Sequence, residues 1–160
     1  MGSYTIGIFI STENKKIEVA AKKQWDFTEV KEVEKPYKGY AIYGHDIKHC
    51  DFKDLKKMET ENDRLITDLA SFSKKFPDET FVLMEEDEHG DLSSYQGIVY
   101  KDGDVIIDEM GDFKKVLSQH NEKFKSGELD WYKFYHKRFR TLLSNLGITL
   151  GKNLYFELFD

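Results

Sequence analysis

Cysteine and linker-type sequence are what this chain has least of. Cys50 is the only cysteine among 160 residues, which excludes an intramolecular disulfide framework and suits a reducing compartment. No run approaches the roughly 18 apolar residues that a membrane-spanning helix requires. The stretch Met1–Ile10 has neither the basic start nor the apolar core of an export signal, so the expected location is the cytoplasm. There is no internal repeat, no low-complexity tract and no Pro/Gly/Ser-rich linker, and residues 1–160 therefore read as one domain. Also missing are a Gly-x-Ser-x-Gly elbow, a Gly-rich phosphate loop and a dinucleotide fingerprint, which leaves nucleophilic and nucleotide chemistry without its usual marks.

Aromatic side chains and carboxylates are abundant. The 12 Phe, 9 Tyr and 2 Trp can dominate a core. The net charge of −6 is unevenly spread: residues 51–112 hold 7 Lys/Arg against 18 Asp/Glu, while residues 113–160 hold 9 against 5. An acidic middle third makes DNA or RNA a poor partner for that surface and a basic protein a good one.

The pattern predicts an α+β fold, a mainly antiparallel sheet with helices packed on one face. Strands are expected at Tyr4–Ile10, within Lys16–Val33, at Tyr37–Tyr43, Thr80–Met84, Ser94–Tyr100 and Val105–Asp108. Lys101-Asp102-Gly103-Asp104 supplies the hairpin turn between the last two, Asp-Gly being a strong turn signal. Asp51 is placed to cap a helix opening at Phe52, and Thr60 with Asp63 forms a capping-box pattern ahead of Leu65, Ile66, Leu69, Phe72 and Phe76, which share a helical face. Two further helices are expected, at Phe113–Phe124 and Glu128–Leu146, with Gly147 as the stop, and then an edge strand at Leu154–Phe159.

Four constellations carry possible chemistry. Glu85-Glu86-Asp87-Glu88-His89-Gly90-Asp91 sets five carboxylates within seven residues after a strand. Its spacing imitates a calcium loop at the start, but Gln96 stands where the bidentate Glu belongs, so it reads as an acidic loop that is either simply solvated or a docking surface for a basic partner. Gly44-His45-Asp46-Ile47-Lys48-His49-Cys50-Asp51 offers imidazoles and a thiol, which are zinc ligands, without the H-E-x-x-H pattern or a second pair. His45, His49 and Cys50 are its candidate metal ligands. Cys50 beside a histidine also makes a thiol–base pair only if the fold brings them together, and otherwise it is a small core residue. In Trp131–Arg140 bases alternate with aromatics, as in single-strand binders, but at helical spacing the aromatics fall on one face and Lys133, Lys137, Arg138 and Arg140 lie mostly elsewhere.

The stretch Phe76–Asp87 followed by Tyr95–Asp104 resembles the helix–strand–hairpin segment of small bacterial α+β immunity proteins of polymorphic or contact-dependent toxin systems. The resemblance implies a protein that binds a toxin domain and blocks its active site, with no chemistry or cofactor of its own. Joined to the charge distribution, it gives the expected function: an acidic, cytoplasmic inhibitor presenting Glu85, Glu86, Asp87, Glu88 and Asp91 to a basic toxin or nuclease. Two alternatives stay open, a zinc-binding protein or enzyme centred on His45, His49 and Cys50, and a phage or host regulator that imitates nucleic-acid charge.

Overall fold

The computed structural model describes residues 2–48, 53–89, 92–110, 121–123, 125–128 and 131–148. Its frame is a wholly antiparallel sheet of β1 (Gly2–Ser11), β2 (Glu29–Val33), β3 (Gly39–Tyr43), β4 (Ile47–Lys48), β5 (Thr80–His89), β6 (Leu92–Lys101) and β7 (Asp104–Glu109). The order across the sheet is β2-β3-β1-β5-β6-β7, and the short β4 pairs with β1. The helices α1 (Lys16–Gln24), α2 (Leu55–Lys74) and α3 (Trp131–Ser144) accompany it. The expected α+β class with a mainly antiparallel sheet is what the structure shows.

The helices, however, lie on both faces of the sheet. Ile17 and Ala21 of α1 and Leu65, Leu69 and Phe72 of α2 are buried with Ile6, Ile8, Ile10, Phe81, Leu83 and Tyr100. On the opposite face, Phe139, Leu142, Leu143 and Leu146 bury Phe9, Ala41, Val82, Met84, Tyr95 and Val99. The cause is in the central strands: Ile6 and Ile8–Ile10 of β1 and Phe81–Met84 of β5 are apolar almost continuously instead of alternately, and a strand that is apolar on both sides needs a layer on each. The charge of α3 follows its new neighbours. Lys137 and Arg140 are exposed, but Arg138 is buried, with Nε 3.5 Å from Glu109 Oε2 of β7.

Local expectations met mixed outcomes. Lys16–Gln24 is a helix where strand-like alternation was expected, because Ile17, Ala20 and Ala21 sit at helical spacing and Glu18 pairs with Lys22 one turn on at 2.9 Å. Asn14 leads into it by accepting the Lys16 amide at 3.1 Å. Thr60 is no helix start: α2 runs through it, and its hydroxyl donates back to the Lys56 carbonyl at 2.7 Å. The Asp102–Gly103 turn is as expected, with φ of 50° and 81° as a tight hairpin demands. Its Gly103 amide donates to Ser73 Oγ at 2.8 Å, tying the hairpin to the end of α2. Gly147 follows α3 at φ 71°. The Asp51–Phe52 cap, most of the Phe113–Phe124 helix and the Leu154–Phe159 strand lie outside the described residues. Among the described residues, no helix is long and apolar enough to cross a membrane.

Candidate functional site

The acidic stretch is strand where a loop was expected. β5 continues past Met84 to His89, with Glu85, Glu86, Asp87 and Glu88 paired to Ile6, Thr5, Tyr4 and Ser3 of β1 on one side and to Gln96, Tyr95, Ser94 and Ser93 of β6 on the other. Hydroxyl-bearing and amide side chains flank nearly every carboxylate, and strand neighbours of that kind let acidic residues stay in the ladder.

Strand alternation then divides the acids between the two faces. Glu85 and Asp87 follow Phe81 and Leu83 onto the α1/α2 face, whereas Glu86 and Glu88 follow Val82 and Met84 onto the α3 face. Glu85 is only 5% exposed. Tyr4 Oη donates to its Oε1 at 2.5 Å and Gln96 Nε2 donates to its Oε2. Burial pushes the Glu85 carboxyl above the usual carboxylate range, the two donors pull it down, and the nearby Asp63 and Asp87 push it up again. Burial raises the Tyr4 phenol as well, and the Glu85 charge adds to that. Glu85 is therefore a structural group inside the fold, which removes it from the expected docking set. Sequence reasoning missed Tyr4, Gln96 and Asp63 as its neighbours. The available signal was Gln96, a lone amide amid the apolar residues of Tyr95–Tyr100.

The other carboxylates differ in exposure, and Asp87 Oδ1 is shut off from solvent. Glu86 and Asp87 are half-buried and Glu88 is exposed. Tyr95 Oη donates to Glu86 Oε1 at 3.4 Å, and Ser3 Oγ donates to Glu88 Oε2 at 3.3 Å. Asp91 lies outside the described residues. From Phe76 to Tyr100 the chain carries seven carboxylates and no lysine or arginine.

The histidine cluster divides too, since His49 and Cys50 lie outside the described residues. His45 sits where the chain leaves the sheet between β3 and β4. Its backbone amide donates to Asn62 Oδ1 at 2.7 Å and its carbonyl accepts Asn62 Nδ2 at 3.0 Å. The ring stacks on Phe27 with centroids 5.5 Å apart, and Nε2 lies 3.3 Å from Glu61 Oε1. Among the described residues no group of three or more His, Cys, Asp or Glu side chains is arranged to hold a metal ion. A hollow beside this region is lined by Asp46, Ile47, Lys48, Leu55 and Met58.

Comparison of the chain with protein-family models, with curated proteins and with solved structures gives no match.

Proposed function

We propose that this protein is an inhibitor of the immunity type, which binds a basic protein, such as a toxin or nuclease domain, and occludes its active site. The observation that carries the reading is the pair Glu86 and Glu88. They lie on one face at the end of β5, within the acidic middle third of the chain, where residues 51–112 hold 18 Asp/Glu against 7 Lys/Arg. Asp87 points from the other face of the same strand end. With Asp91, which follows in sequence, these replace the five-carboxylate loop as the docking group.

Such a field accelerates encounter with a cationic cleft and penalises acidic competitors, while apolar contacts around it set the lifetime of the complex. Because the carboxylates stand on paired strands, little side-chain and backbone freedom is lost on binding compared with a loop. The resemblance to bacterial immunity proteins supports the same partner class, and the single cysteine is in keeping with a reducing, cytoplasmic location.

The test is affinity capture from native lysate by the wild-type chain and by a Glu86→Lys/Glu88→Lys variant, at low and high salt. Recovery of a basic protein that is lost on charge reversal and weakened by salt supports the proposal. Equal recovery by both chains contradicts it.

A further inference from the structure

The two outer strands of the sheet are β2 and β7, and they are built differently. β2 exposes Glu29, Lys31 and Glu32, with Lys31 Nζ 3.6 Å from Glu29 Oε1. Charged side chains on an edge discourage another strand from pairing there. β7 reads Asp104-Val105-Ile106-Ile107-Asp108-Glu109. Its Val105 and Ile106 are 48% and 50% exposed, two of the three large apolar side chains left in solvent among the described residues. Among those residues β7 pairs with β6 alone, and its outer row of backbone N–H and C=O groups has no strand partner among them. A row of that kind, beside apolar side chains, is completed by an extended strand.

Charge narrows which strand. Asp104 and Asp108 are exposed on either side of Val105–Ile107, and neither has a cationic group within ion-pair distance among the described residues. Asp104 pairs in register with Lys101 and Asp108 with Ile98, because Ile106 is an extra residue at a bulge. The bulge thus puts the two carboxylates on opposite faces of the sheet. A second copy of this chain fits poorly. A second β7 edge carries Asp104, Asp108 and Glu109 and no Lys or Arg, so it offers neither carboxylate a cation.

We infer that β7 is a docking edge for an extended segment of a partner protein, apolar at alternate positions and carrying two Lys or Arg residues on opposite faces of its strand, beside Asp104 and Asp108. Main-chain hydrogen bonds supply the affinity and the two ion pairs fix the register. The inference rests on the basic-partner reading and gives it a mode of contact.

The probe is a short peptide of alternating Val and Thr with two lysines an odd number of positions apart, titrated into the isotope-labelled full chain and followed by amide shifts and hydrogen exchange. Shifts centred on Val105–Met110, with exchange of the outward β7 amides slowed about tenfold, are expected. Both should vanish when glutamates replace the lysines and in a Val105→Lys/Ile106→Lys variant. The inference is overturned if the lysine peptide leaves β7 unchanged, if the glutamate peptide acts equally, or if the β7 amides of the free chain are already as protected as those of β1. Capture of a basic partner that survives the β7 substitutions but not the Glu86/Glu88 reversal would overturn the edge and leave the wider reading standing.

Discussion

The Asn62 carboxamide holds both backbone polar groups of His45, accepting from the amide at 2.7 Å and donating to the carbonyl at 3.0 Å. Asn62 is 2% exposed, and a Cβ on the adjacent Gly44 would come within 2.5 Å of its Oδ1 and 2.9 Å of Leu65. This clamp lets α2 approach the sheet where the chain steps from β3 to β4, and it brings Asp63 near Tyr4 and Glu85. Asn62→Ala leaves two backbone groups without a partner and is expected to cost about 1–3 kcal/mol. A urea midpoint unchanged from wild type would contradict the clamp.

Glu85 predicts a pH dependence of stability. Its carboxyl is raised in the folded chain, chiefly by burial, above an ordinary value of 4.5. Its contribution is therefore fully present below the unfolded pKa and is lost as the pH rises through the folded one. Glu85→Gln keeps a neutral side chain of similar shape between Tyr4 and Gln96. The variant should gain stability over wild type as the pH climbs from about 4.5 toward neutrality, with no such gain below that range. Urea unfolding of both chains across the range reads this directly, and a difference independent of pH would count against it.

Gly39 leaves no room for a side chain where β3 runs beside β1. A Cβ there would lie 1.9 Å from the Ile10 carbonyl oxygen and 2.9 Å from the Thr12 nitrogen, all backbone. Gly39→Ala should destabilise by about 3 kcal/mol or more, since neither strand can move without losing its ladder. Thermal melting is sufficient, and a tolerated alanine would show that the two strands are farther apart.

The His45 ring is occupied by Phe27 and Glu61. Purified protein is accordingly expected to hold no stoichiometric zinc, and a chelator should leave its melting unchanged. One zinc per chain, released by chelator with loss of stability, would favour the metal-binding alternative.

The general fold was legible because Tyr4–Ile10, Thr80–Met84 and the Asp102–Gly103 turn have strong local signals. The expectation of helices on one face was wrong, although Phe81-Val82-Leu83-Met84, apolar without alternation, carried the signal for both. What could not be read was register. Glu85 through Glu88 looks like a solvated loop by composition, and only pairing with Tyr4 and Gln96 takes one carboxylate inside and splits the others between faces. Composition likewise misled at Lys16–Gln24, where Ile17 and Val19 suggested a strand but the alanines and the Glu18–Lys22 pair favour a helix.

The most direct test of inhibition is the activity of the captured basic partner as purified chain is titrated into it, beside the Glu86→Lys/Glu88→Lys variant. Occlusion by the acidic strand end predicts loss of activity that saturates at one equivalent, with the variant much weaker and salt relieving the effect. A partner that stays fully active while bound, or is inhibited equally by the charge-reversed chain, would contradict it.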